Sequence, residues 1–91
     1  MPVYVINRDF VAQKLGEDTI IFDGSKSILY TLNETASYVF QKIKIKQNNE
    51  AIVKMLAERY GMNENKVGKD VNKLISDLIK KRIVFPGKPK K

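Results

Sequence analysis

A change of apolar period at Asn33 divides the chain into a strand-rich first third and a helical remainder. Phe10-Val11-Ala12-Gln13-Lys14-Leu15 reads as a strand, closed by Gly16-Glu17-Asp18. Thr19-Ile20-Ile21-Phe22 is a stronger strand, because β-branched and aromatic residues cluster there. Asp23-Gly24 then predicts a hairpin of type I′, in which both central positions need positive φ. Ser27-Ile28-Leu29-Tyr30-Thr31-Leu32 is the returning strand. Its alternation puts Ile28, Tyr30 and Leu32 on the expected core face and Ser27, Leu29 and Thr31 on the other. Val3-Tyr4-Val5-Ile6 reads as a further short strand.

After Asn33 the apolar residues recur at helical spacing. Asn33 is an N-cap residue and Glu34 puts a negative charge in the first turn. Ala36, Val39, Phe40 and Ile43 carry the first helix to about Lys44. Asn48-Asn49-Glu50 opens a second, with Ile52, Val53, Leu56, Ala57 and Tyr60 as its stripe and Gly61 at its end. Asn63-Glu64-Asn65 opens a third, whose apolar residues are Val67, Val71, Leu74, Ile75, Leu78 and Ile79. At 100° per residue these cover an arc of about 140°, wide for a helix packed on one side only. Either an apolar flank is left for a partner or a small domain wraps its last helix deeply. Ile83-Val84-Phe85 ends the ordered chain and is expected to pair with an early strand. The fold class is α+β and winged-helix-like: a three-stranded antiparallel sheet followed by three helices, β-β-β-α-α-α. Residues 1–85 form a single domain, and residues 86–91 are expected to be a disordered basic tail.

Composition removes whole classes of chemistry. The 91 residues include no cysteine and no histidine. Disulfide staples, thiolate nucleophiles, zinc sites and Ser-His triads are therefore excluded, and no metal or cofactor is expected. No apolar run is long enough to span a bilayer, and the N-terminus lacks the basic and apolar regions of a secretion signal, so a cytoplasmic location is expected. The net charge of +7 suggests an anionic partner, but six of the 17 basic residues fall in the last twelve positions with no acid among them. Asp70 and Asp77 share a helix face about 10 Å apart along the axis, yet nothing joins them as a catalytic set, and no enzyme activity is expected. Asp23-Gly24-Ser25-Lys26 lacks the glycine spacing of a phosphate loop. The lysines and asparagines of the third helix invite a winged-helix DNA-binding reading, which stands as the alternative. Against it, Asp70 and Asp77 interrupt the basic field and arginine is absent from that helix until Arg82. A free edge on the third strand offers a different activity, the capture of an extended peptide as an added strand.

Several runs resemble one family. Ile20-Ile21-Phe22-Asp23, followed by Ile28-Leu29-Tyr30-Thr31-Leu32-Asn33-Glu34-Thr35-Ala36, is similar to the signature of PqqD-like proteins. These are peptide-recognition elements of pathways that modify ribosomally made peptides. Val53-Lys54-Met55-Leu56-Ala57-Glu58-Arg59-Tyr60-Gly61 resembles the family's second helix. Lys69-Asp70-Val71-Asn72-Lys73-Leu74-Ile75-Ser76-Asp77-Leu78 resembles its third. Phe40 stands where the family often has tryptophan, and Lys44-Ile45-Lys46-Gln47 replaces a turn where glycine is common. The resemblance implies a stand-alone protein that binds the leader peptide of a precursor by strand addition. Backbone contacts would come from Ser27, Ile28, Leu29, Tyr30 and Thr31. A groove would be lined by Tyr30, Asp70, Val71, Leu74, Ile75 and Leu78, with Lys73 and Lys81 meeting leader carboxylates. The implied partners are that precursor and a separate processing enzyme, a lasso-peptide leader protease first and a radical SAM enzyme second. The implied state is a monomer or weak homodimer, with no membrane partner.

Overall fold

Two turns of different kinds set the strand pairing. The computed structural model describes residues 4–87. In chain order the elements are β1 (Tyr4–Ile6), β2 (Phe10–Leu15), β3 (Asp18–Asp23), β4 (Ile28–Leu32), α1 (Glu34–Lys44), α2 (Asn49–Tyr60), α3 (Glu64–Lys80) and β5 (Val84–Pro86). Between β2 and β3, Leu15 pairs with Asp18, so Gly16-Glu17 is a two-residue loop. Gly16 has φ +61°, which fits the turn class that asks for glycine at its first central position. The β3–β4 turn differs from the expected Asp-Gly hairpin. Asp23 pairs with Ile28, leaving the four-residue loop 24–27, and the left-handed residue is Ser27 (φ 55°) rather than Gly24. The cause is the Asp23 carboxylate. It accepts from the Ser25 N–H at 3.0 Å, the Ser25 hydroxyl at 2.8 Å and the Lys26 N–H at 3.3 Å. That side-chain turn takes over the start of the loop and defers the positive φ to its exit.

Three asparagines start the three helices. Asn33 accepts from the Ala36 N–H at 2.9 Å, and Asn48 from the Ala51 N–H at 2.8 Å. Asn63 accepts from the N–H groups of Asn65 and Lys66. Each satisfies donors that the first helical turn leaves without a partner. Gly61 ends α2 in the left-handed conformation, φ 61°. After α1 it is Lys46, at φ 68°, that takes the conformation a glycine would adopt most readily. The Lys44–Gln47 segment thus keeps a left-handed turn without the glycine.

The core lies between the three-stranded sheet and the helices. The sheet order is β2-β3-β4, all antiparallel, with β3 central. Thr19, Ile21 and Asp23 project from one face of β3 and are buried. Ala36, Ser37, Val39, Phe40 and Ile43 of α1 are buried with them. The hydroxyls of Thr19 and Ser37 share a buried hydrogen bond, so neither is left unsatisfied. Ile52, Leu56 and Ala57 of α2 and Val67, Val71, Ile75 and Leu78 of α3 complete the core.

The expected short N-terminal strand and the expected pairing of Ile83-Val84-Phe85 with an early strand both form, the second at Val84–Pro86. β1 and β5 form a separate antiparallel pair, with Ile6 opposite Val84 and Tyr4 opposite Pro86. The Asn7 amide donates to the Arg82 carbonyl at 2.8 Å and fastens the two ends. Pro86, assigned to a tail on sequence, is the last residue of β5; residues 88–91 of that expected tail lie outside the described residues. No helix among the described residues is long and apolar enough to cross a membrane. Replacing Asn33 by Ala removes the cap of α1 and is expected to cost about 1 kcal/mol, read as a lower urea midpoint with an unchanged slope.

Candidate functional site

β4 is an edge strand. Among the described residues it pairs with β3 on one side only, and β1 is paired with β5. The N–H and C=O groups of alternate β4 residues therefore face outward. Ser27 departs from its expected place in this strand: its left-handed backbone belongs to the turn, so the edge begins at Ile28. Leu29 and Thr31 point to the exposed face of the sheet. On the other face burial deepens along the strand, from Ile28 (39% exposed) through half-buried Tyr30 to buried Leu32. The Tyr30 ring lies parallel to that of Phe10, with centroids 6.5 Å apart. Lys81, at the end of α3, places its Nζ 5.5 Å from the Tyr30 centroid.

α3 carries a cavity on its own flank, about 440 Å³ in volume and lined by Asp70, Lys73, Leu74, Ser76, Asp77 and Lys80. At 100° per residue, Asp70, Leu74, Asp77 and Lys81 follow one flank of the helix. Lys81 joins that flank to β4 through Tyr30, and it pairs with Asp77 at 2.7 Å. The pair is substantially exposed and contributes a few tenths of a kcal/mol at most, about what such i,i+4 pairs give. Its consequence is geometric: it holds the ammonium near the tyrosine face.

The α3 residues expected to line a groove divide by burial. Asp70 and Leu74 border the cavity. Val71, Ile75 and Leu78 are 1%, 3% and 0% exposed and belong to the core. Helical geometry is the reason: they sit on the next flank round, turned toward the sheet and the other helices. The wide apolar arc of α3 thus resolves into a core stripe with Leu74 and Ile79, both half-buried, at its margins. Ser76, Asp77 and Lys80 were not foreseen as lining, although the spacing of Asp70, Lys73, Asp77 and Lys80 marks them as one row.

Sequence reading also missed an apolar row on the outer face of the sheet. Val11 lies opposite Phe22, and Phe22 opposite Leu29. All three are exposed, Val11 and Leu29 by 65% and 64%. Elsewhere, Tyr38 carries two cations near its ring, Lys42 at 5.2 Å and Arg59 at 4.9 Å. The Arg59 guanidinium is held further into its charged form, first by its hydrogen bond with Tyr60. Among the described residues no three of Asp, Glu, His or Cys gather as metal ligands would. An open strand edge beside a partly apolar, charged helix flank is suited to holding an extended chain.

Comparison with known proteins agrees on the fold. Two solved structures superpose on nearly the whole chain. One is TbiB1 in complex with the TbiA(beta) leader peptide, with TM-score 0.85, 15% identity, and 94% of this chain and 99% of that chain covered. The other is lasso peptide synthetase B1 complexed with the leader peptide, with TM-score 0.84, 16% identity, and 91% and 98% covered. At that identity the likeness is one of fold. No protein of curated function matches the chain. The sequence pattern of the family described as coenzyme PQQ synthesis protein D (PqqD) matches residues 18–84, from the start of β3 into β5, and the chain belongs to that family.

Proposed function

We propose that this protein is a non-catalytic binder of a leader peptide. The leader of a ribosomally made precursor would add to β4 as a further strand and seat alternate side chains against α3. The observation that carries this reading is the open β4 edge, joined through Tyr30 and Lys81 to the α3 flank whose Asp70, Leu74 and Asp77 line a cavity. The two fold neighbours, each in complex with a leader peptide, support it. Main-chain hydrogen bonds of about 0.5–1.5 kcal/mol net each give affinity without selecting a sequence. Selection falls to the side chains facing Leu74 and Tyr30, where burying one large apolar residue contributes about 1.5–3 kcal/mol.

The held peptide is then presented to a separate processing enzyme. A lasso-peptide leader protease is the favoured partner and a radical SAM enzyme the next. The gain is one of effective concentration: a core peptide tethered through its leader meets the active site far more often than a free one.

An amide-resolved NMR titration with the N-terminal half of a short open reading frame beside this gene tests the binding mode. Shifts should concentrate at Ile28–Leu32 and along the Asp70–Lys81 flank. Shifts confined to the α1–α2 side would place the peptide elsewhere and sink the proposal. Leu74→Asp should weaken leader binding by about ten-fold or more while leaving the circular dichroism unchanged, since Leu74 sits at the margin of the core. Proline placed singly at 28, 29, 30 and 31 should separate the two edges of β4. Where the N–H faces outward, leader affinity falls and the fold survives. Where it faces β3, the domain loses stability.

A further inference from the structure

The sheet has a second open edge, and the inner side of that edge stands over a basic cavity. Among the described residues β2 pairs with β3 alone, as β4 does on the far side. The two-residue Gly16-Glu17 loop is closed by the Leu15–Asp18 pair, which in such a hairpin exchanges both main-chain hydrogen bonds. By alternation Gln13 and Val11 also bond to β3, and Phe10, Ala12 and Lys14 turn their N–H and C=O groups outward. The side chains of the same three residues point to the helix side of the sheet, since they lie opposite buried Asp23, Ile21 and Thr19. Ala12 is small and exposed there. Beside it a cavity of about 420 Å³ opens between β1, β2 and α1. Tyr4, Phe10, Phe40 and Ile43 give it apolar walls, Arg8, Lys44 and Lys46 give it three cations, and no acid is among its lining residues. Further along β2, Lys14 borders a smaller cavity of about 210 Å³ together with Lys42 and Arg59. Its acids are Glu17 and Glu34, and Glu34 already accepts from the Tyr60 hydroxyl at 3.2 Å.

An edge with free main-chain groups accepts one more strand. A peptide added to β2 sends every second side chain to the helix side of the sheet. The residue beside Ala12 enters the apolar part of the larger cavity. The residues two positions away on either side lie toward Arg8 and Lys44 at one end and toward Lys14 and Lys42 at the other. The pattern this edge fits is acid-x-apolar-x-acid, which reads the same in both chain directions. We propose that β2 is a second strand-addition site, for an extended acidic segment of a partner protein distinct from the peptide held at β4. The two edges lie on opposite sides of β3, so the domain can hold one chain on each. This proposal stands whether or not β4 takes a leader.

Charge and distance select the occupant. A second copy of this chain pairing through β2 brings its own Arg8 and Lys14 to an edge already bordered by cations, like charge against like. A single peptide filling both edges has to cross the whole sheet, about 19 Å for four strand spacings, and reverse its direction of travel to do so. An acidic segment of another chain needs neither. Its main chain pairs with Phe10, Ala12 and Lys14, its apolar residue leaves water for the cavity, and its carboxylates face cations that no lining acid of the larger cavity neutralises.

The test titrates the full chain, followed amide by amide in NMR, with two capped heptapeptides. One is Thr-Glu-Thr-Leu-Thr-Glu-Thr, and the other has lysine in place of both glutamates. The acidic peptide should shift the amides of Phe10, Ala12 and Lys14 together with those of Arg8, Lys44 and Lys46, and added salt should weaken it. The lysine peptide should bind at least about five-fold more weakly. Ala12→Pro removes one outward donor from an edge strand, where proline is tolerated, and should abolish the titration with the circular dichroism unchanged. Arg8→Glu combined with Lys44→Glu changes two exposed side chains and should make the lysine peptide the tighter binder, which keeps the proposal testable if the proline variant does not fold. No shifts on β2, shifts confined to Leu29 and Thr31, or equal binding of the two peptides overturns the proposal. So does a wild-type chain that dimerises with concentration and becomes monomeric as Ala12→Pro, because a second copy is then the occupant. A single peptide from the neighbouring open reading frame that shifts β2 and β4 together at one-to-one stoichiometry overturns it as well, because one chain then fills both edges.

Discussion

The pairing of β1 with β5 decides what the main sheet has left to offer. An early strand is the natural cover for the free edge of a small meander, and in this chain that strand is committed elsewhere. Val84 is wholly buried and opposite Ile6, and Asn7 closes the pair through the Arg82 carbonyl and the Ile83 carbonyl. Both ends of the described chain are thereby tied to each other rather than to β4. The consequence is that β4, like β2 on the other side of the sheet, keeps unspent main-chain donors and acceptors among the described residues. In most folds such an edge is a liability, managed by shortness, charge or a bulge. β4 is short, Lys26 sits just before it, and Ser27 enters it from a left-handed turn. These features limit unwanted pairing while leaving room for one extended partner.

On the leader-binding reading, the β4 edge and the α3 flank would be preorganised, because each is held independently. β4 is fixed by its ladder with β3, whose inward residues are buried. α3 is fixed by Val71, Ile75 and Leu78. The bridge between the walls, Asp77 to Lys81 to the Tyr30 ring, is exposed and weak. On that reading, a peptide that displaced Lys81 from the ring would give up little, and affinity would go into contacts rather than into ordering the site.

Much of this was legible in the chain. Asn33, Asn48 and Asn63 announce three helices because an asparagine side chain satisfies the first-turn donors whatever the tertiary context. The strands announce themselves by β-branched and aromatic clusters, and the Leu-Asn-Glu-Thr-Ala run carries the family resemblance that the pattern match upholds. What stayed hidden depends on relations between distant residues. The β3–β4 loop looked like an Asp-Gly turn because nothing local reveals that Asp23 is buried and spends its carboxylate on Ser25 and Lys26. The outer row was invisible because Val11, Phe22 and Leu29 become neighbours only once the register is known. The division of α3 into buried and exposed flanks was hidden because an arc of about 140° shows which residues are apolar but not which part of the arc faces the core.

That last distinction changes how the site works. Had Val71, Ile75 and Leu78 lined the groove, its specificity would be broadly hydrophobic and α3 would be loosely packed until filled. Buried as they are, they back the helix, and Leu74 is the apolar residue on a flank otherwise made of Asp70, Lys73, Ser76, Asp77 and Lys80. On the leader-binding reading, such a flank would admit one anchor residue, not a run of them. Recognition would then come from where that anchor sits relative to the main-chain ladder of β4, since a shift of one residue turns every peptide side chain to the opposite face. Register, more than composition, is therefore the property by which this groove would select its peptide.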